Sequence, residues 1–264
     1  MSRKASVPST SRQRRILGLV HERGDARVSE LRDLFGVSEV TVRSDLAVLA
    51  SQGLLVRTHG GAALPDRGLK SLELTFAARE AVNVELKARI GLAAAQLVQS
   101  GQSVVLDAST TALQIARALR RRPSLHDVTV ITNGVHTALE LLDLPGFSTI
   151  LTGGQLRSTA VSLTGALAGD LLTKVHGSLG FFGAKGLTTS QGLTDVNLQE
   201  VEMKAAMACV CERVVAVVDH TKLGQVGLAT FVPPSALSLV ITDDAADRRI
   251  VAELQAAGVE VELV

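Results

Sequence analysis

Near the start of the chain, hydrophobic side chains recur every three or four positions in three short segments, each closed by a glycine. This spacing is that of an amphipathic helix, so each segment predicts a helix with one buried face. Serines stand at the start of the second and third segments, so Ser29 and Ser38 are predicted N-caps. The inward positions predicted for the three helices are Ile16, Leu17 and Val20; Leu31, Leu34 and Phe35; and Val42, Leu46 and Leu49. The closing glycines are Gly24, Gly36 and Gly53.

The segment after the third helix, "LLVRTHGGA", alternates apolar and polar residues before Gly60 and Gly61. Alternation with a period of two predicts a strand, and the two glycines predict the turn of a short β-ribbon. Three helices, a tight turn between the second and the third, and a final ribbon describe a winged helix-turn-helix. We therefore predict a DNA-binding domain over residues 11–62.

The third predicted helix begins with the β-branched run "VTV" (residues 40–42), which is poor material for a helix. Val42 lies on the inward stripe, and at about 100° per residue Val40 points to nearly the opposite side. An outward valine in a recognition helix can contact a thymine methyl group, while Thr41 and Arg43 reach base edges or phosphates. Exposed valines are common, so for Val40 alone a plain surface position stays open. The residues predicted to bind DNA from this helix are Ser38, Val40, Thr41, Arg43 and Ser44.

The distribution of charge agrees with a nucleic-acid partner for this part of the chain. Residues 1–62 hold ten Lys and Arg against six Asp and Glu, a net charge of +4, and the remaining residues hold 17 against 20, a net charge of −3. A basic N-terminal part favours a polyanionic partner. Hydrophobic residues make up 46% of the chain but aromatic residues only 2%, so the core must be aliphatic.

Beyond residue 62 the pattern changes. The segment "ALPDRGLKSL" (residues 63–72) lacks periodicity and contains Pro, Gly and charged residues, which predicts a linker. After a long helical stretch, short apolar runs such as "SVVLD", "VTVIT" and "VVAVVD" alternate with helical segments. This alternation predicts an α/β domain over residues 73–264, with a mostly parallel sheet flanked by helices.

Parallel sheets bind ligands at the carboxyl ends of their strands, and several predicted strands here end in polar or glycine-rich loops. Asp107 closes one of these strands. The next helix begins with Ser109, Thr110 and Thr111, whose hydroxyls and amides can hold a phosphate, although ordinary capping also explains such residues. The candidates at other strand ends are Asn133, Gly153, Gly154, Arg157, Lys185 and Lys222. Together they favour a small phosphorylated sugar or polyol as the ligand.

Two sets of motifs resemble one known family. The segment "VSELRDLFGVSEVTVRSDLAVLASQGLLVRTHGGA" resembles the N-terminal signature of the DeoR family of bacterial transcriptional regulators. The series "LDASTT", "ITN", "LTGG", "FFGAKGL", "GLT" and "DHTKLG" is similar, in this order, to the sensor domain of that family. The resemblance implies a sensor similar in fold to ribose-phosphate isomerases, which binds phosphorylated sugar intermediates and thereby alters DNA binding.

The resemblance also implies roles for single residues. Arg57 and His59 correspond to wing residues, which commonly meet backbone phosphates or the minor groove. Lys222 corresponds to a cation that faces the ligand. The residues that correspond to the effector loop are Asp107, Thr110 and Thr111.

Three positions depart from the family pattern. Ser44 stands where a second arginine is usual, which removes one expected phosphate contact. Ser109 stands where glycine is usual, which narrows the approach of a phosphate to the backbone and adds a hydroxyl. Lys185 stands where asparagine is common, which adds a positive charge. These departures indicate an effector that is not typical of the family.

An enzyme is the main alternative, because an isomerase that acts on a sugar phosphate needs a carboxylate base and a group that polarises the carbonyl. The candidates for these roles are Asp107, Glu200 or Glu202, with Lys204 or Lys222. Acids at a helix start also favour the helix dipole, and a catalyst has little use for a basic winged helix. A structural DNA-binding protein with a degenerate body is the third interpretation, and the polar strand ends count against it.

The remaining features predict a cytoplasmic protein without a cofactor. Cys209 and Cys211 are too few for a disulfide framework and, without further ligands, for a zinc site, so reduced thiols are expected. No apolar run reaches the length of a membrane span, and the first residues lack the apolar stretch of a signal peptide. We predict a homo-oligomer, a dimer or a tetramer, that places two recognition helices in successive major grooves.

Overall fold

The computed structural model describes residues 9–51, 54–63 and 73–264. The chain divides into two compact units, Met1–Val84 and Glu85–Val264, named here the N-terminal unit and the C-terminal unit. The division falls after Val84 rather than after residue 72, because Ala78 and its apolar neighbours pack into the core of the N-terminal unit. Residues 64–72 of the predicted linker, and Gly53 at the predicted end of the third helix, lie outside the described residues.

The N-terminal unit contains the three predicted helices and a fourth. The helices described there are α1 (Ser9–Arg23), α2 (Val28–Phe35), α3 (Glu39–Ser51) and α4 (Phe76–Ala81). The predicted inward side chains are buried with one exception, Leu34, which is 54% exposed. In α2 the buried stripe runs through Val28, Leu31 and Phe35, and Leu34 lies beside it.

The predicted cap of α2 is wrong by two residues. The N-cap is Arg27 rather than Ser29. The Arg27 amide donates a hydrogen bond to the Glu30 carboxylate at 3.2 Å, which closes the first turn from the other side. Glu30 therefore caps the first turn of α2, for which the sequence predicted Ser29.

The predicted ribbon is part of a three-stranded antiparallel sheet. Its strands are β1 (Asp25–Arg27), β2 (Val56–Thr58) and β3 (Gly61–Ala63), in the order β1-β3-β2. The sequence did not predict β1, because three residues between two helices are too few to show an alternation. Gly61 is required where β3 passes β1, since a Cβ there would lie 2.0 Å from the carbonyl oxygen of Ala26.

A seven-stranded sheet forms the centre of the C-terminal unit, and all its neighbouring strands are parallel. In order across the sheet, the strands are β15 (Glu260–Leu263), β14 (Leu239–Thr242), β12 (Cys211–Val217), β9 (Gly177–Phe182), β4 (Ser103–Leu106), β5 (Val128–Thr132) and β6 (Phe147–Leu151). The expected α/β fold with a large parallel sheet is thereby confirmed.

Helices cover both faces of this sheet. One face packs against α5 (Val84–Gln96), α6 (Thr110–Leu119) and α7 (Val135–Leu141), and the other against α8 (Ala166–Leu172), α9 (Leu198–Cys209) and α10 (Arg248–Ala256). Val104 and Leu106 belong to the first layer and Val105 to the second, as alternation along a strand requires. Among the helices of the described residues, none is long and apolar enough to cross a membrane.

Short antiparallel strands occupy the loops that follow β6, β9 and β12. They form a hairpin of β7 (Gln155–Arg157) and β8 (Ser162–Thr164), and a small sheet of β10 (Gly186–Thr188), β11 (Gly192–Asp195) and β13 (Ala229–Val232). The sequence did not predict them as separate strands.

The direction of the chain across the sheet reverses between β4 and β9. β4 is followed by β5 and β6 on one side, whereas β9 is followed by β12, β14 and β15 on the other. At such a switch point the loops that leave the two strands diverge and form a crevice, where open α/β sheets bind ligands. Asp107, directly after β4, lies at this point.

Candidate DNA-binding surface and effector site

The first turn of α3 exposes the predicted recognition surface. Ser38 precedes the helix, and its Oγ accepts a hydrogen bond from the Thr41 amide at 3.2 Å, as expected for an N-cap. Val42 is fully buried, whereas Val40 is 76% exposed. Val40, which does not belong to the core, therefore lies on the surface of the first helical turn.

Charged side chains surround this turn. Arg43 Nη2 lies 3.5 Å from Glu39 Oε2, and Arg32 Nη1 lies 3.3 Å from Glu39 Oε1. Ser44 is exposed beside them. Exposed pairs of this kind contribute little to stability, so a DNA phosphate can replace Glu39 as the partner of Arg43 at a small cost. The sequence analysis did not single out Glu39.

The strand β2 and the turn after it expose the predicted wing residues. Arg57 lies on β2, where all three residues are exposed, and His59 is exposed in the turn to β3. Both side chains therefore face solvent in the N-terminal unit.

A buried ion pair that the sequence analysis missed connects α1 to α3. Arg12 Nε lies 2.5 Å from Asp45 Oδ2, and Gln13 Nε2 donates to Asp45 Oδ1 at 2.9 Å. Removing one member would leave the other charge buried without its counter-charge. The pair therefore fixes the orientation of the recognition helix against α1.

In the C-terminal unit, Asp107 links the two loops of the switch point. Its side chain is fully buried. Oδ1 accepts a hydrogen bond from the Ser109 amide at 3.0 Å, and Oδ2 accepts one from the Gly183 amide at 3.0 Å. Gly183 must be glycine, since a Cβ there would lie 2.5 Å from the Cβ of Ser109.

Lys204 on α9 balances the charge of Asp107. Its Nζ lies 3.1 Å from Asp107 Oδ2 and 2.7 Å from Asp195 Oδ2, and it donates to the Gly183 carbonyl at 2.9 Å. Burial lowers the pKa of Lys204, but the neighbouring carboxylates, led by Asp195, raise it by more, so the pKa is above its usual value. We name Asp107, Gly183, Asp195 and Lys204 the strand-end cluster. In the sequence, Lys204 is a candidate only under the enzyme alternative.

Side chains near the N-terminus of α6 accept hydrogen bonds from some of its first backbone amides. Ser109 Oγ accepts from the Ala112 amide at 3.1 Å, so Ser109 is a capping residue. A helix start leaves four amides without intrahelical partners. Asp107 takes the Ser109 amide and Ser109 takes the Ala112 amide. Within the described part of the chain, the amides of Thr110 and Thr111 have no such partner.

Asn133 lies beside Asp107 at the end of the neighbouring strand. The register pairs Leu106 with Thr132, so Asp107 and Asn133 are the next residues of β4 and β5. The Asn133 side chain is fully buried, and its Nδ2 donates to the Leu163 carbonyl at 3.2 Å. Within the described chain, its Oδ1 has no hydrogen-bond partner.

The loop after β6 contains Gly153 and Gly154 and leads to Arg157. The two glycines have φ of 75° and 104°, conformations that side chains disfavour. Arg157 Nη1 lies 2.6 Å from Glu200 Oε1, and the Ser162 hydroxyl donates to the same oxygen. Arg157, which was predicted to contact the ligand, is therefore already paired with Glu200. Both side chains are almost buried.

Lys185 and Lys222 extend from the loops after β9 and β12. Lys185 is exposed, and its amide donates to the Thr194 carbonyl at 2.9 Å. Lys222 is half-buried beside Asp219. Burial raises the pKa of Asp219, but the charge of Lys222 and the hydroxyl of Thr221 lower it by more, so the pKa is below its usual value.

The predicted effector residues thus fall into two sets. Those after β4 and β5 lie together, because a Cβ at Gly134 would be only 3.0 Å from the Cα of Ala108 and the two loops therefore touch. This set contains Asp107, Ser109, Thr110, Thr111 and Asn133. The others, Gly153, Gly154, Arg157, Lys185 and Lys222, come from three other strand ends.

A winged helix-turn-helix with an exposed recognition turn, in one chain with an α/β unit that has polar residues at its switch point, is typical of a DNA-binding regulator with a sensor domain. Comparison with known families identifies both parts. Residues 12–68 match the DeoR-like helix-turn-helix domain, and residues 82–244 match the DeoR C terminal sensor domain. The chain belongs to the DeoR family of transcriptional regulators, as its motifs predict.

Relatives match along nearly the whole chain. The chain is 38% identical to the HTH-type transcriptional regulator GolR of Listeria innocua, over 96% of this chain and 97% of that protein. It is 33% identical to a putative aga operon transcriptional repressor of Escherichia coli O157:H7, over 99% and 96%. It is 32% identical to the glycerol-3-phosphate regulon repressor of Escherichia coli K12, over 90% and 92%. These relatives are named as transcriptional regulators or repressors, in agreement with the family to which the chain belongs.

Ribose 5-phosphate isomerases of known structure match the chain at a distance. Ribose 5-phosphate isomerase A from Methanocaldococcus jannaschii aligns with a TM-score of 0.40 and 18% identity, over 53% of this chain and 55% of that chain. A score of this size carries no functional argument.

Proposed function

We propose that the protein binds operator DNA through α3 and the wing, and that a phosphorylated sugar or polyol bound in the C-terminal unit alters that binding. The observation that carries the effector half is the start of α6, directly after the switch-point residue Asp107. There the amides of Ser109 and Ala112 are capped, while those of Thr110 and Thr111 have no cap among the described residues. The name of the glycerol-3-phosphate regulon repressor supports a phosphorylated polyol as the class of ligand.

On DNA, the exposed first turn of α3 enters the major groove. Val40 contacts a thymine methyl group, and Thr41 and Arg43 reach base edges or phosphates. Ser38 and Ser44 flank this contact, and Arg57 and His59 on the wing meet the backbone. A dimer or tetramer places two such helices in successive major grooves of an operator, in the cytoplasm.

In the C-terminal unit, the phosphate lies at the N-terminus of α6. The amides of Thr110 and Thr111 donate to it, and the helix dipole favours its negative charge. Lys204 adds little attraction of its own, because Asp107 and Asp195 already balance it. Further positive charge comes from Lys185 and Lys222.

The remainder of the effector extends toward the loops after β5 and β6. Gly153 allows a close approach of the ligand to the backbone, since a Cβ there would meet no atom within 4 Å. Gly154 instead lets the loop pack against the Thr164 carbonyl, and Arg157 lies beyond them. The effector changes DNA affinity only to the extent that it binds one state of the protein more tightly than the other.

The test is DNA binding measured with and without candidate effectors. Fluorescence anisotropy on fragments from upstream of the protein's own gene and its neighbours identifies the operator. Each phosphate ester of a sugar or polyol is then added beside its unphosphorylated parent. We expect one ester to change the operator affinity while its parent does not. An effect of the parent alone, or of no ester in the panel, would reject the phosphate site.

A further inference from the structure

Asn133 carries a buried acceptor that the protein itself does not use. The side chain has no solvent exposure, and Oδ1 has no hydrogen-bond partner among the described residues. Leaving a buried acceptor without a donor is destabilising, and most buried polar atoms in proteins are paired. Such an atom beside a ligand crevice points to a donor that arrives with the ligand.

The orientation of the amide is determined by its neighbour. The Leu163 carbonyl can only accept a hydrogen bond, so the Asn133 nitrogen, at 3.2 Å, must face it. Oδ1 therefore points away from the Leu163 carbonyl. The Leu163 amide in turn donates to the Asn133 carbonyl at 2.8 Å, so the residue is held at both its side chain and its backbone.

The position places this oxygen next to the phosphate site. Leu106 and Thr132, the last residues of β4 and β5, are paired in register, so Asp107 and Asn133 follow them side by side at the ends of neighbouring strands. The loop that follows Asn133 touches Ala108, which precedes the cap of α6. If the phosphate lies on the Thr110 amide, the adjoining carbons of the ligand extend toward the loop that contains Asn133, and they reach Oδ1 once the loops open.

We propose that Asn133 Oδ1 accepts a hydrogen bond from one hydroxyl of the effector, so that this residue selects phosphate esters that carry a free hydroxyl near the phosphate. The proposal rests on the phosphate site described above. A fixed amide oxygen accepts but cannot donate, so a carbonyl, an ether oxygen or a deoxy carbon at this place leaves it unpaired. Sites with a buried group of this kind discriminate strongly against analogues that lack its partner.

Other buried hydroxyls without a partner are less informative. Thr164 and Thr242 each have such an Oγ1. A threonine hydroxyl rotates and can both donate and accept, so it demands no particular ligand group. Thr242 ends β14, which β12 and β9 separate from β4, so it serves as a matched control.

The burial of Oδ1 also connects recognition to regulation. The atom has no solvent-exposed surface, so a ligand hydroxyl reaches it only if the surrounding loops rearrange. A ligand that completes this hydrogen bond therefore favours a different arrangement of the loops after β4 and β5, as an effector must.

The experiment measures dissociation constants of the full-length protein by calorimetry. The ligands are inorganic phosphate and phosphate esters of sugars and polyols with three to six carbons, each compared with analogues that lack one hydroxyl in turn. For the wild type we expect about a tenfold or larger loss of affinity when one particular hydroxyl is absent. Asn133→Leu is expected to abolish this ratio while it leaves the affinity for inorganic phosphate unchanged.

Two further variants separate recognition from folding. Asn133→Asp keeps the acceptor but loses the donor to the Leu163 carbonyl. It is expected to keep the ratio, although the added charge and the lost hydrogen bond weaken all esters together. Thr242→Val removes an unpaired buried hydroxyl elsewhere and is expected to change neither affinity nor ratio. If esters bind but every deoxy analogue binds equally well, or if Asn133→Leu keeps the ratio, the role of Asn133 is refuted and the phosphate site stands. If neither inorganic phosphate nor any ester binds the wild type, the phosphate site itself fails.

Discussion

The two regions proposed to bind DNA and the effector are built in opposite ways. On α3 the side chains proposed to meet DNA point into solvent: Val40 is 76% exposed, and Arg43 forms a long, exposed pair with Glu39. At the switch point the chemistry is buried: Asp107 has no exposed surface, and Lys204 is surrounded by two carboxylates and a carbonyl.

The difference predicts how mutations separate binding from stability. An exposed residue of α3 contributes little to folding, so a change there alters DNA affinity alone. The strand-end cluster holds the loops after β4, β9 and β11 together, so a change there alters stability and ligand binding at once. A sensor gains from this arrangement, because a ligand that perturbs the cluster also perturbs the loops that it holds.

The largest expected effect is that of Lys204→Met. The substitution leaves Asp107 and Asp195 buried without their counter-charge, and breaking a buried pair costs about 3–5 kcal/mol. The free energy of unfolding of the C-terminal unit, measured by chemical denaturation, should fall by this amount. The exposed Lys174→Met is the control and should be neutral. A neutral result for Lys204→Met would show that the cluster does not stabilise the fold.

The pH dependence of this contribution has a definite sign. The pKa of Lys204 is raised in the folded protein, so its stabilisation is complete below the unfolded pKa, about 10.4. It is lost only as the pH rises through the higher folded value. The difference in stability between wild type and Lys204→Met should therefore stay constant from neutral pH up to the unfolded pKa.

The second effect concerns the start of α6. Thr110 is the first residue of the helix, where proline is well tolerated, and Ser109 before it has φ −79° and ψ 155°, which suit a residue that precedes proline. Thr110→Pro thus removes one amide donor with little change in fold. Losing a hydrogen bond to a charged group costs about 1.5–3 kcal/mol, so ester affinity should fall by about 10- to 150-fold. Thr110→Val, which keeps the amide, should lose less, and equal losses would place the phosphate elsewhere.

Periodicity predicted the N-terminal unit well because its signal is local. The spacing of Val42, Leu46 and Leu49 is sufficient to orient α3, and the structure buries all three. The prediction that Leu34 is buried was wrong, because a helix of eight residues has only a narrow buried stripe. The strand β1 was missed since it is defined by its pairing with β3 rather than by any pattern of its own.

In the C-terminal unit, the sequence predicted which strand ends are polar but not how they are connected. Asp107 is adjacent to Ser109 in sequence, but its other partners, Gly183 and Lys204, are far along the chain. The pairing of Arg157 with Glu200 is likewise a property of the tertiary fold. A single sequence contains no local signal for these contacts, so it does not separate a charge that is available to a ligand from one that is already balanced.

The third effect tests the exposed region. Arg43→Ala should weaken operator binding by about 1–3 kcal/mol, while the free energy of unfolding stays unchanged. If Arg43 contacts a phosphate, the slope of log affinity against log salt should also fall by about one. Arg23→Ala removes an exposed charge at the end of α1 and serves as the control. Equal losses for the two variants would assign the effect to net charge rather than to a contact of Arg43.

The smallest effect is the most specific. Val40→Ala replaces an exposed β-branched residue by the best helix former, so the stability should rise by a few tenths of a kcal/mol. Operator affinity should nevertheless fall by about 1 kcal/mol, because apolar contact with one thymine methyl is lost. Replacing that thymine by uracil removes the same methyl from the DNA side. In a double-mutant cycle, the losses of operator affinity caused by these two changes should not add. Additive losses at every thymine would mean that Val40 contacts none of the methyl groups.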